Sequence, residues 1–158
     1  MHLNPRKQLG LTLVESLIAL LVISIGLLGI AALQISSMQQ NASALNHSQA
    51  VWIAYNMADR IRANITQFGN YAGIDTDTGY SEDCMTGTCN TNQMITADAA
   101  DWTTHVQNLP NGRGMVTGDP TRLVISVMWD DEGTGATGTG CDPTNSNDLT
   151  CYTVTMIQ

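Results

Sequence analysis

RKQLGLTLVESLIALLV, running from Arg6 to Val22, opens on two cations, passes through Gly10 and becomes hydrophobic, with a single carboxylate, Glu15, set into the apolar run. The apolar character continues to Leu33. Residues 11–33 are therefore long enough to cross a bilayer, since about 20 residues at about 1.5 Å each match a hydrocarbon core of about 30 Å. Arg6 and Lys7 precede the run with no acid beside them, so they are expected to stay on the cytoplasmic side. Glu15 is the anomaly, because a carboxylate in hydrocarbon is costly unless it finds a partner or reaches the interface.

The segment differs from an ordinary secretory signal, whose shorter apolar core ends at a small-residue cleavage site. Here an apolar stripe continues through Ile35, Met38, Ala42, Leu45, Trp52, Met57, Ile61, Ile65 and Phe68 at steps mostly of three, four or seven. No proline lies between Arg6 and Leu109, and Gly26 and Gly29 are the interior glycines before Gly69. The pattern predicts one helix from about Leu11 to Phe68, with a membrane part over 11–33 and an amphipathic continuation over 34–68. Gly26 and Gly29 share part of a helical face, which permits close helix approach or marks a soft point.

Charge excludes one large class of function. The 158-residue chain carries a net charge of −8, and without residues 1–10 four arginines remain against fourteen acids, giving −10. Phosphate recognition needs clustered Lys and Arg, so nucleic acid is not an expected partner. Between Ser16 and Ala58 there is no Asp, Glu, Lys or Arg. The acids are concentrated in the remainder, which reads as an exported globular region.

At this point the residues carry a resemblance. Gly10-Leu11-Thr12-Leu13-Val14-Glu15, after a short basic leader and before an apolar run, resembles the processing site of type IV prepilins and type II secretion pseudopilins. The resemblance implies cleavage between Gly10 and Leu11 by prepilin peptidase, N-methylation of Leu11, and retention of the apolar helix. It also implies that Glu15 serves assembly, with the new Leu11 amine as its partner one helical turn away, on its own chain or a neighbour's. ESLIALLVISIGLLGIAALQ, the Cys84/Cys89 pair, Trp102 with LPNGRG, and LVISVMWDDE are together similar to the PilV-type pilus modification proteins, a group of minor pilins. The implied partners are other minor pilins, the major pilin and the inner-membrane assembly platform. The implied location is the bacterial inner membrane, N-terminus cytoplasmic and residues 69–158 periplasmic, and then the pilus.

The globular region has its own pattern. Residues 69–97 are rich in turn formers and read as a long connection. Asp98 is placed to cap a short helix that buries Trp102 and Val106 and stops at Leu109-Pro110. Asn111-Gly112 reads as a turn into a strand near Gly114–Thr117. Arg122–Trp129 alternates, with Leu123, Ile125, Val127 and Trp129 on one face, and Cys151–Ile157 repeats the type. Asp130–Asp148 joins them as an exposed, flexible loop. The expected fold is α+β, the type IV pilin fold: a long N-terminal helix with a small antiparallel sheet on its C-terminal half.

Four cysteines outside the cytoplasm favour disulfides, and three pairings are open. Cys84–Cys89 with Cys141–Cys151 is favoured, because each local pair brackets a turn-rich segment. Other chemistry is faint. Asp75-x-Asp77-x-Gly79 begins like a calcium loop, but Thr86 stands where a bidentate Glu is needed, so a solvated turn is the reading, with no metal or other cofactor. Asp130-Asp131-Glu132 reads likewise. Asp101 and His105 lie one turn apart, yet no nucleophile motif accompanies them, and a surface hydrogen bond is expected rather than an enzyme. The sequence reads as a minor pilin. A type II secretion pseudopilin shares every helix argument, and a bitopic anchored binding module that never assembles is the alternative of a different class.

Overall fold

A computed structural model describes residues 12–81, 84 and 87–158. By contact the chain divides into two units, residues 1–42 and 43–158. Helix α1, Thr12–Ala63, supplies all the described residues of the first unit and the opening residues of the second. Leu, Ala, Met and Gln supply good helix formers along it, and no proline interrupts it.

The second unit is α+β. Helix α2 covers Thr91–Val106, and strands β1 (Arg113–Asp119), β2 (Arg122–Trp129) and β3 (Thr150–Ile157) form one antiparallel sheet in the order β1-β2-β3. Asp119 pairs with Arg122 across the Pro120-Thr121 turn, and Asp119 Oδ1 accepts from the Thr121 and Arg122 amides, which fixes the hairpin register. The β2–β3 register sets Ile125 against Val154 and Leu123 against Met156. Leu123, Ile125, Val127 and Trp129 are all buried, as their alternation predicts. They close on α1 and α2 in one core with Ala50, Ile53, Ala54, Met57, Ala58, Ile61, Trp102 and Val106. Trp102 anchors this core, its Nε1 donating to the Ile53 carbonyl at 3.0 Å.

Four expectations are corrected. The α-helix stops at Ala63 and not at Phe68: Asn64 leaves helical geometry (φ −116°, ψ 45°), and a 3-10 segment, Ile65–Tyr71, turns Phe68 and Tyr71 into the core. Of the expected stripe, Met57, Ile61 and Phe68 are buried, but Leu45, Trp52 and Ile65 are exposed, and the face that packs takes in Ala50, Ala54 and Ala58 instead. Small side chains let the backbone come close to its neighbours, a contribution that a hydrophobicity pattern undercounts. Helix α2 begins at Thr91, seven residues before Asp98, where the N-cap Asn90 and Gln93 form a reciprocal capping box. Lastly, the 130–148 loop is tied down: Asp130 accepts from the Thr134 and Gly135 amides, and Gly138 pairs with Asp148.

The disulfides join Cys84 to Cys89 and Cys141 to Cys151, each with Cα atoms 5.6 Å apart. Cys141–Cys151 holds the 142–150 loop against the start of β3, next to a second small cluster of Met128, Ala136 and Leu149.

Candidate assembly interface

The first unit offers one chemical feature, an unpartnered apolar helix. From Leu13 to Met38 its large hydrophobic side chains are each 55–77% exposed. Among the described residues this is the one helix long and apolar enough to cross a membrane, with a mean hydropathy of 2.7 over its best window and none of that window buried. Water does not tolerate such a surface, so lipid or other helices must cover it. One polar group within it is satisfied locally: the Ser24 hydroxyl donates to the Leu20 carbonyl at 2.7 Å.

Glu15 lies in the first described turn of α1. It is exposed and has no ion-pair or hydrogen-bond partner among the described residues. Arg6, Lys7, Gly10 and Leu11 lie outside the described residues. A Cβ added at Gly26 or Gly29 would meet nothing within 4 Å. Packing inside the chain therefore does not require either glycine, although each costs about 1 kcal/mol of helix propensity against alanine.

In the second unit the singled-out acids serve structure. Asp75 receives the Arg113 guanidinium through Nε at 3.1 Å and Nη2 at 2.7 Å, while Asp77 takes Nη1 at 2.8 Å. Partial burial pushes the Asp75 carboxyl up, but the Arg113 and Asp77 hydrogen bonds and the guanidinium charge outweigh it and hold the group below its ordinary range. The calcium-like stretch is thus an arginine clamp. No group of three metal-binding side chains occurs among the described residues. Asp101 sits 3.6 Å from His105 Nε2 and also pairs with Arg60.

Two networks escaped the sequence reading. Tyr71, fully buried, donates to Asp98 Oδ2 at 2.6 Å, and Arg60 Nη1 reaches Asp98 Oδ1 at 3.1 Å. Burial raises the Tyr71 hydroxyl pKa, and the Asp98 hydrogen bond and charge raise it further. Asp131 accepts from Ser43 Oγ at 2.5 Å, Trp129 Nε1 at 2.9 Å and Asn46 Nδ2 at 3.3 Å. Burial pushes its carboxyl up, but these three donors and the nearby His47 bring it below the ordinary carboxylate range. Apart from the Trp129–Asp131 bond, these contacts join residues 27 or more positions apart, and no local pattern marks such pairs. The single available signal was a charged residue inside a helical apolar face, at Asp98.

Comparison with known families adds two adjoining matches. Residues 5–31 match the prokaryotic N-terminal methylation motif, and residues 32–100 match the Tt1218-like family, described as type IV pilin Tt1218. No curated protein and no solved structure matches the chain. The long apolar N-terminal helix with its three-stranded antiparallel sheet is consistent with the type IV pilin fold, and the two matches support a pilin role.

Proposed function

We propose that this chain is a type IV pilin and, among these, a minor pilin of the PilV type, held in the inner membrane until its leader is removed and it joins other minor pilins to prime or cap a pilus. One observation carries the reading. A basic leader, Gly10 with a large apolar residue after it, Glu15 at the fifth position beyond the cut, and a helix whose apolar side chains find no partner among the described residues all coincide in one stretch. The methylation-motif match over residues 5–31, the same stretch, supports the pilin part of it.

Each feature has a physical task. Arg6 and Lys7 hold the leader in the cytoplasm, where prepilin peptidase cuts between Gly10 and Leu11. Cutting exposes an amine at Leu11, which is then N-methylated and keeps its positive charge. Glu15 of one subunit pairs with the Leu11 amine of a neighbour displaced along the bundle, which offsets the cost of a carboxylate in an apolar medium and sets the register of helix packing. Gly26 and Gly29, bare on the helix surface, permit close approach between helices. Residues 69–158 then face the periplasm or the filament exterior. The PilV-type assignment rests on the C-terminal pattern, Trp102 with LPNGRG and LVISVMWDDE.

The test is incorporation. Glu15→Ala should leave the protein membrane-inserted but remove it from sheared pili, and deletion of the gene should reduce surface pili and twitching. Undiminished incorporation of Glu15→Ala would refute the assigned pairing. Loss of protein export with intact piliation would move the chain to the secretion pseudopilins.

A further inference from the structure

Strand β3 is an edge of the sheet with a free side. Its orientation can be fixed from one bond: the Gln158 amide donates to the Thr121 carbonyl at 3.1 Å, on the β2 side. Because amides alternate along an antiparallel strand, the even-numbered residues of β3 face β2 and the odd-numbered ones, Cys151, Thr153, Thr155 and Ile157, direct N–H and C=O outward. Among the described residues no other hydrogen bond reaches these outward groups.

Protein edges are normally blunted by charge, proline or a bulge. TCYTVTMI contains no charged residue, no proline and no glycine, and it pairs with β2 over its full eight residues without a bulge. Its inner face leaves Tyr152 and Val154 half-buried at the border of the core. A strand added here would complete both the hydrogen bonding and the apolar face.

The Thr150 end of this edge opens into an acidic cleft. Asp131, Glu132, Asp142, Asp148, Thr150 and Cys151 are among the residues lining a cavity of about 420 Å³, and no Lys, Arg or His lines it. Glu132 is exposed and has no partner among the described residues. We propose that the β3 edge and this cleft form one docking surface for an extended, uncharged strand of another protein that ends in a basic residue where it passes Thr150. Backbone pairing supplies the affinity and the cleft supplies register and direction. For an antiparallel partner the basic residue is C-terminal. The β3 strand of a second copy does not meet this demand, because it is itself uncharged and, paired antiparallel, would bring Ile157 and not a basic residue past Thr150.

This surface belongs to the second unit alone, so its test is separate from that of leader processing. The probe is a fluorescent peptide, Thr-Val-Thr-Val-Thr-Val-Thr-Lys, titrated by polarisation against the full-length protein in detergent. Binding should weaken at least tenfold when the final Lys is replaced by Glu, and at least tenfold with Glu132→Lys in the protein. Two N-methylated peptides leave the protein untouched: methylation of alternate amides in one phase should abolish binding, and methylation in the other phase should preserve it. Thr153→Pro, which removes an outward amide and no β2 bond, should act like the abolishing peptide. Equal binding of both methylated peptides, indifference to the final charge, or no binding of the parent peptide would overturn the proposal.

Discussion

Replacing Gly114 by alanine would put a methyl carbon 2.5 Å from Cη2 and 2.7 Å from Cζ3 of Trp102. The indole is not free to move aside, since its other end is pinned to the Ile53 carbonyl and the whole ring is buried. Overpacking of a well-filled core costs about 1–3 kcal/mol, and the alanine recovers about 0.5–1 kcal/mol of backbone entropy, so a net loss of about 1–2 kcal/mol is expected. For a folding unit of this size that is a fall in Tm of about 4–8 °C. Trp102→Leu alone should cost more, about 3 kcal/mol, through the lost ring contacts and the cavity left behind. In the double variant the alanine methyl enters the vacated space, so the combined loss should fall short of the sum by about 1 kcal/mol or more. Urea unfolding of the full-length protein with disulfides intact, followed by circular dichroism, measures all four corners of the cycle. Additivity within about 0.5 kcal/mol, or a Gly114→Ala variant as stable as the parent, would refute the claim that β1 carries glycine because the Trp102 ring rests on it.

Tyr71→Phe removes the 2.6 Å donor to Asp98 and should cost about 1.5–3 kcal/mol in the same assay, the range for a hydrogen bond to a charged group; an unchanged midpoint would show that Arg60 alone satisfies that carboxylate. The Asp131 carboxyl is held below its unfolded value, so its contribution to stability is fully present above about pH 4 and is lost as pH falls through the folded value. Asp131→Asn should therefore be less stable than the parent at pH 7 and converge on it in acid; a constant gap down to pH 2 would contradict the hydrogen-bond account.

Much of this fold is legible in the sequence because its determinants are local or periodic. Leu123, Ile125, Val127 and Trp129 declare a half-buried strand by alternation, and the buried pair Trp102 and Val106 follows from helical spacing and the stop at Leu109-Pro110. The errors fall where burial is decided by shape. Trp52 is the more hydrophobic choice for the inner face of α1, yet it is exposed, its ring edge-on to His105, while Ala54 is buried. Asn90-Thr-Asn-Gln93 carried a capping signal, but Asp98 drew the helix start to itself by lying just before the apolar positions. Gly114 illustrates the reverse case, a strand glycine whose partner ring lies twelve residues earlier and only meets it in the folded chain. The proposed assembly site is legible for a different reason: on the proposed reading Gly10, Leu11 and Glu15 would act through a peptidase and neighbouring subunits, so their meaning would lie in spacing along the chain and not in contacts within it.

The most direct measurement of the central claim is the mass of the amino terminus after expression with and without an active prepilin peptidase. The account predicts N-methyl-Leu11 as the first residue when the peptidase is present and an uncleaved leader when it is absent. An intact Met1 in the presence of active peptidase would contradict it.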